Sequence, residues 1–267
     1  TMFYGTYSEG YRHGGAQSLP SLADGDPFGE PNAEALRTFQ SDSVKNLEIG
    51  VKGGGERFRY TASLFNVDWD DPQLNTTSQF YGFFLAANGD EANTSGLELE
   101  LEGVLGEGLR YRIGYTYAKA ELDKDFISPQ SGAVIAPKGS TLPGAPENVF
   151  SLSASKGWDL NSNMMFDLGF NAYAQGKSEN FINPGSELSD RFGSFVLLGL
   201  NATLSTDTWS AMLYAKNIGD EDGVTGAFPI SYWSYDTGVF ENWYGNGNRQ
   251  FIVQPRTIGL KLAYHFD

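Results

Sequence analysis

Residues 96–103 read GLELELEG, and this alternation decides how the chain folds. Three leucines at 97, 99 and 101 alternate with three glutamates at 98, 100 and 102. Successive side chains of a β-strand point to opposite faces of the sheet, so one face of this strand carries only leucine and the other only carboxylates. In a water-soluble sheet the leucines would contact a protein core. In a membrane β-barrel they would contact lipid, and the glutamates would line the interior.

The same period of two recurs along the whole chain. It is found in residues 44–52, 57–64, 109–119, 149–156, 166–172, 196–204, 209–215 and 258–266. These segments run to roughly ten residues, which is longer than the strands of most soluble sheets and about the length that crosses a bilayer at a tilt. The period therefore favours membrane strands.

The connections between these segments alternate in length. Short turns follow residues 53, 105, 157 and 205, whereas long segments lie at about 13–43, 76–90, 123–146, 177–193 and 219–254. Short periplasmic turns and long extracellular loops are typical of outer-membrane barrels, and a soluble β-sandwich has no reason to place every second connection far out on one side. The sequence predicts an all-β, antiparallel transmembrane β-barrel, of which this chain supplies about ten strands.

The strand count requires 57–75 to be one long strand followed by a loop at 76–90. The apolar residues change face near Phe65–Trp69, which leaves a β-bulge open as an explanation.

Composition excludes several classes of protein. The 267 residues carry a net charge of −15, which argues against nucleic-acid binding, because that needs a cationic surface. There is no cysteine, so disulfides and thiolate metal sites are excluded. The two histidines, His13 and His265, lie in no recognisable context of a serine or cysteine nucleophile, so catalysis is not predicted. The sequence predicts no cofactor and no metal site.

Six motifs occur in an order that belongs to a known family. They are YSEGYRHGG (7–15), SVKNLEIGVKGG (43–54), ASLFNVDWDD (62–71), ANGDEANTSGLELELEG (87–103), KNIGDED (216–222) and PRTIGLKLAYHF (255–266). With them the chain resembles the C-terminal half of the barrel of TonB-dependent outer-membrane receptors. The resemblance implies a barrel of about 22 strands that is plugged by an N-terminal domain. Residues 1–267 are then expected to be the last ten strands, with the plug and the earlier strands absent from this sequence.

The candidate ligand-binding residues lie in the predicted extracellular loops. Residues 226–251 are crowded with aromatic side chains, which stack on sugars or siderophore rings, and Tyr11 and Arg12 lie at the top of the first strand. The predicted site residues are Tyr11, Arg12, Tyr232, Trp233, Tyr235, Trp243, Tyr244 and Arg249. The alternatives are that the aromatic residues pack the loop or form the interfacial girdle, and that Tyr11 and Arg12 are rim residues beside lipid headgroups.

The charges of the long loops narrow the range of candidate ligands. Residues 219–254 contain several carboxylates but a single Lys or Arg residue, Arg249. Residues 13–43 likewise contain several carboxylates but a single Lys or Arg residue, Arg37. An anionic ferric catecholate would need a cationic clamp. A neutral or cationic ligand fits better, such as a hydroxamate-type siderophore, a cobalamin-like cofactor or an oligosaccharide.

Three functions are compatible with these features. The first is active uptake of a bulky nutrient, foremost a ferric siderophore, across the outer membrane of a Gram-negative cell. Its expected partners are outer-membrane lipid, the receptor's own plug domain and remaining strands, the TonB complex, and the small-molecule nutrient. The second is a passive porin-like channel. The third is a soluble all-β binding module, which would need protein to cover its apolar faces.

Overall fold

The computed structural model describes residues 1–17, 33–77, 84–180, 191–229, 231–234, 239–242 and 248–266. Its strands are, in chain order, β1 (Met2–Arg12), β2 (Gly15–Ala16), β3 (Thr38–Phe39), β4 (Asp42–Gly54), β5 (Phe58–Asp70), β6 (Gln73–Thr77), β7 (Phe84–Asn88), β8 (Glu91–Leu105), β9 (Leu109–Leu122), β10 (Phe126–Ile127), β11 (Val134–Ala136), β12 (Asn148–Asn161), β13 (Met164–Gln175), β14 (Ser178–Glu179), β15 (Arg191–Phe192), β16 (Phe195–Ser205), β17 (Trp209–Lys216), β18 (Val224–Pro229), β19 (Ser231–Ser234), β20 (Val239–Asn242), β21 (Asn248–Ile252) and β22 (Thr257–Tyr264). One 3₁₀ turn covers Ala33–Leu36. Within these ranges, no helix is long and apolar enough to cross a membrane.

Ten of these strands form one sheet. Its order is β1-β4-β5-β8-β9-β12-β13-β16-β17-β22, and every pairing is antiparallel. The remaining strands pair two by two in small ladders within the long connections. The predicted all-β antiparallel architecture is confirmed. In the described residues, β1 and β22 are the edges of this sheet.

Short and long connections alternate as predicted, with two corrections. The turn predicted after residue 157 lies farther along the chain, because β12 runs from Asn148 to Asn161 and β13 begins at Met164. The chain does not continue as a strand through 57–75, because β5 ends at Asp70 and Asp71 takes a left-handed backbone conformation (φ 53°) before Pro72. The next residues, β6, turn away and pair with β7. Proline has no amide hydrogen to donate, so it is a poor continuation for an inner strand.

The leucine face of the sheet is bare. Leu99 is 45% exposed and Leu260 is 63% exposed, and no second protein layer covers them in the described part of the chain. On β8 the outward leucines extend from Leu97 to Leu105, about 27 Å along the strand at 3.4 Å per residue. At the usual barrel tilt this is roughly 21 Å of height, close to the ~25 Å apolar band of a membrane barrel. The outer face therefore has the dimensions of a lipid-facing surface.

Above this band the polarity of the two faces is reversed. The outward positions become polar, and we call them the outer polar belt: Lys45, Asn66, Asp68, Asp70, Glu91, Asn93, Ser95, Lys119 and Glu121. The inward positions become apolar. Ala92, Ala120 and Leu122 are buried there, in a core with Phe126 and other residues of the long connections.

This reversal explains the change of face near Phe65–Trp69. The β5 register with β4 and β8 runs without a shift, so there is no bulge in this strand. Phe65, Val67 and Trp69 point inward, on the same side as the loop core, whereas Asn66 points outward beyond the apolar band. The alternation is continuous, and the surroundings of each face change instead.

Candidate ligand-binding site

The inner wall of the sheet is polar and charged. Glu102 lies between two cations of its neighbouring strands, Arg59 at 3.9 Å and Arg112 at 3.1 Å. Glu102 and Arg112 lie opposite each other across the β8–β9 pairing and share the inner face of the sheet. Farther along the wall, Ser153 and Asn171 line a groove of about 500 Å³. Such a wall suits a hydrated or protein-filled interior.

At the end of the wall that carries the long loops, the predicted site residue Arg12 is held by Asp42. The Asp42 side chain is fully buried and accepts hydrogen bonds from Arg12 Nε (3.0 Å) and Nη2, from Trp69 Nε1 (2.9 Å) and from the Gln73 backbone N–H (3.3 Å). The guanidinium also lies over the Trp69 ring, 5.1 Å from its centroid. These four residues come from β1, β4, β5 and β6, so the cluster ties together the bases of the first two long loops.

The cluster keeps Asp42 ionised. Burial by itself raises the pKa of this carboxyl group, but the hydrogen bonds from Arg12, Trp69 and Gln73 outweigh burial and hold the pKa below its ordinary value. Because the Arg12 side chain is 54% exposed, its outer edge still faces solvent at the mouth.

Tyr11 lies on the opposite face from Arg12. It is 68% exposed and makes an edge-to-face contact with His13, with the ring centroids 5.1 Å apart. Since neighbouring residues of a strand face opposite ways, the structure does not bring Tyr11 and Arg12 together.

The other predicted residues lie in the last long connection. The described backbone there forms two short antiparallel ladders, which we call the ribbon. β18 pairs with β21 and β19 with β20, and the register sets Tyr232 opposite Glu241, Trp233 opposite Phe240, and Phe228 opposite Arg249. The structure describes no side chains for Tyr232, Trp233 or Arg249. Tyr235, Trp243 and Tyr244 lie outside the described residues. The capture role of all six stays a prediction.

The base of this ribbon is fastened by the KNIGDED motif. Asn217 is buried in a left-handed conformation (φ 47°), where its amide donates to Glu221 O (2.9 Å) and Gln254 O (3.0 Å) and accepts from Glu221 N–H (2.9 Å). Asp220 accepts from Arg256 Nη2 at 2.9 Å. The motif therefore ties the start of this long loop to its end, at Gln254 and Arg256.

Sequence reasoning missed Asp42, Trp69 and Gln73 as partners of Arg12. Asp42 looked like one more loop carboxylate, and only the β1–β4 register, which sets Arg12 opposite Asp42, shows the pair. Within the described ranges, no group of three or more acidic or histidine side chains could hold a metal ion.

Comparisons with known proteins agree with this architecture. A family model described as TonB dependent receptor-like, beta-barrel, matches residues 1–218. A search of curated proteins found no match.

Several solved structures share the fold. The ferric yersiniabactin uptake receptor FyuA from Yersinia pestis is 17% identical, with a TM-score of 0.71, over 99% of this chain and 35% of that one. The ferric preacinetobactin receptor BauA from Acinetobacter baumannii is 20% identical (TM-score 0.63; 98% of this chain, 34% of that one). The copper transporter OprC is 14% identical (TM-score 0.63; 99% and 37%).

At these identities the likeness shows the fold alone, and this chain spans about a third of the length of those receptors. The family model covers most of the chain, and the observed sheet agrees with it. The chain belongs to the TonB-dependent receptor family and contains sequence of its β-barrel.

Proposed function

We propose that this chain is part of an outer-membrane receptor that actively imports a bulky nutrient, with a ferric siderophore as the first candidate. The observation that carries the proposal is the two-faced sheet, bare and apolar outside and polar inside, with its long loops at one end. FyuA is named as an uptake receptor for ferric yersiniabactin, and PiuA from Acinetobacter baumannii is named as a siderophore receptor, which supports this substrate class. OprC is named as a copper transporter, so the family's fold alone does not select the cargo.

The charges at the mouth favour a neutral or cationic complex. Arg12 is paired with Asp42, Arg37 with Glu34 (2.8 Å) and Arg256 with Asp220 (2.9 Å). These cations are already neutralised and form no free clamp for a trianionic catecholate. A hydroxamate-type ferric complex carries little charge and needs no such clamp. A cobalamin-like cofactor and an oligosaccharide fit the same argument.

Uptake by whole cells tests this proposal. The full receptor would be expressed in a strain that lacks its own iron receptors, and accumulation of radio-iron would be measured from a ferric hydroxamate and from a ferric tris-catecholate. We expect accumulation of the hydroxamate that is abolished when TonB is deleted, and weaker accumulation of the catecholate. If neither complex accumulates, the siderophore assignment is wrong, and labelled cobalamin and oligosaccharides are the next probes.

A passive porin-like channel is the second candidate. The charged inner wall around Glu102 favours this function, because the interior of a water-filled barrel is also polar. The TonB deletion separates the two functions. A passive channel would give the same accumulation with and without TonB and would saturate only at high concentration. The matching family model is that of a receptor barrel, so we infer transport without catalysis.

A further inference from the structure

The first two long connections, which follow β1 and β5, are joined by the side-chain amide of Gln17. This amide pairs with the backbone of Ala86 in β7 as a neighbouring antiparallel strand would. Gln17 Nε2 donates to Ala86 O (2.8 Å), and the Ala86 N–H donates to Gln17 Oε1 (2.7 Å). The same Nε2 donates to the carbonyl oxygen of Leu36 (2.8 Å), a buried residue of the 3₁₀ turn. Gln17 therefore links the 3₁₀ turn of its own connection to β7 of the next one.

A second set of amide contacts holds β7 to the first connection. The Asn88 side chain accepts from the Gln40 N–H (2.7 Å) and donates to Gln40 O (3.2 Å) and to Asp71 O (2.8 Å). Asn88 lies two residues after Ala86 on the same strand. The first connection and β7 are thus joined at two points, and their separation would break several hydrogen bonds at once.

The side chains of β7 contact the third long connection, which follows β9. Ala87, the neighbour of Ala86, is buried in the loop core with Phe126, Ala136 and Leu142. Phe126 and Ala136 are 0% exposed. Separation of the second and third connections would return this apolar area to water, which costs free energy. One short strand therefore holds the first connection through its backbone and the third through its side chains.

The boundary between the third connection and the fourth, which follows β13, is built differently. A cavity of about 340 Å³ lies between β9, residues 139–147 and the β14–β15 ladder. Within the described residues, one backbone–backbone hydrogen bond crosses this boundary, from the Gly144 N–H to Glu179 O (2.8 Å). Atoms that line a void lack the packing contacts of a core, so this contact is weaker than the one at β7.

We propose that parts of the first three long connections form one cooperative unit, the cap, which opens and becomes ordered as a whole. The cap comprises Gln17 and residues 33–40, 71–77, 84–90 and 123–147. Its limit is the cavity, so the β14–β15 ladder opens independently of it. Asp42 ties Arg12 to Gln73 in the cap, so a solute that is bound at Arg12 orders the third connection without touching it. The inference does not depend on which solute is imported.

Amide hydrogen exchange of the full receptor in detergent tests this coupling. Gln17→Ala removes three hydrogen bonds of the side chain, two to Ala86 and one to Leu36. Gln17→Glu keeps the size of the side chain, but a carboxylate has no hydrogen to donate to either carbonyl. The matched control is Arg37→Ala, because the Arg37 side chain pairs with Glu34 (2.8 Å) inside the first connection.

Both Gln17 variants should speed exchange about tenfold in residues 33–40, in β7 and, at a distance, in residues 126–142. Tenfold is the usual effect of losing one or two net hydrogen bonds. Exchange in β14–β15 and in the inner strands β4 and β5 should stay at the wild-type rate. Arg37→Ala should leave β7 and residues 126–142 unchanged.

A substitution in the loop core tests the coupling in the opposite direction. Phe126→Leu should speed exchange in residues 33–40 as well as in the third connection, because a thermodynamic coupling is reciprocal. This variant keeps an apolar side chain at the position, so the sheet should fold as in the wild type.

Three results would each contradict the proposal. If the Gln17 variants speed exchange in 33–40 and β7 but not in 126–142, the connections open independently and there is no cap. Equal acceleration of β14–β15 would show that the cavity is not a boundary. Equal acceleration of β4 and β5 would mean that the whole sheet, rather than a separate unit, had been destabilised.

Discussion

Replacing Asp42 with alanine should loosen the first two long loops without unfolding the sheet. Asp42 accepts hydrogen bonds from Arg12, Trp69 and the Gln73 backbone, and the Gln73 side-chain amide in turn donates to His13 O and Gln40 O at 3.0 Å each. Removing the carboxylate takes the common acceptor out of this network. The β6–β7 hairpin, which begins at Gln73, should then open more often.

The magnitude follows from the groups left without a partner. Trp69 Nε1 and the Gln73 N–H each lose an acceptor, which costs about 1–3 kcal/mol per buried donor, and both lie at the low end because they are only partly buried. Arg12 is 54% exposed and regains water, so its share is small. The total is about 2 kcal/mol, which raises the local opening equilibrium roughly thirtyfold.

Amide hydrogen exchange of the β6–β7 hairpin in the detergent-solubilised receptor measures this opening. The matched control is Asp70→Ala, because Asp70 pairs with Lys45 at 2.7 Å while both side chains are nearly half exposed, and such pairs contribute at most about 1 kcal/mol. Asp42→Asn should fall between the two, since it keeps an acceptor oxygen. Equal exchange rates in Asp42→Ala and Asp70→Ala would refute the reasoning.

The same cluster predicts a pH dependence with a definite sign. The pKa of Asp42 is held below its ordinary value, so the carboxylate contributes stability that is fully present above the ordinary pKa and is lost as the pH falls through the lowered one. Hairpin protection should stay constant from neutral pH to about pH 5 and fall below about pH 4. Asp42→Asn should remove this acid-induced decline.

Three further substitutions test the base of the last loop, the lipid-facing surface and the strand packing. Asn217→Ala should speed hydrogen exchange of the segment that follows it, and Asn217→Gly should do so less, because both lose three hydrogen bonds but only alanine is strained at φ 47°. Leu200→Arg should lower folding yield in liposomes, with a cost of about 2–4 kcal/mol near the bilayer centre, whereas Asn201→Arg on the inner face should be tolerated. Gly96→Ala should destabilise the sheet by about 1–3 kcal/mol, since its Cβ would lie 2.0 Å from a backbone carbonyl of the next strand, whereas Gly10→Ala meets nothing within 4 Å. Urea unfolding of the liposome-inserted receptor compares the two glycine variants.

Much of the sheet could be predicted because strand periodicity is a local property. The alternation at 96–103 indicates which side chains share a face, and the register of β8 with β9 agrees with it. The end of β5 was placed wrongly, because a left-handed residue at Asp71 followed by Pro72 gives only a weak signal beside continued alternation. The anchor of Arg12 was not predictable, since Asp42 lies 30 residues away and becomes a partner only through strand pairing.

The amino-acid sequence by itself determined the period of two, the segment lengths and hence a sheet with one apolar and one polar face. These features depend on the spacing of side chains along the strand, which is a local property of the sequence and does not depend on the rest of the fold. The tertiary structure alone decided where that polarity reverses and which charges become partners. The reason is that burial and pairing depend on what lies beside each residue in the fold: no protein layer over Leu99, the loop core beside Ala120, and Arg12 beside Asp42.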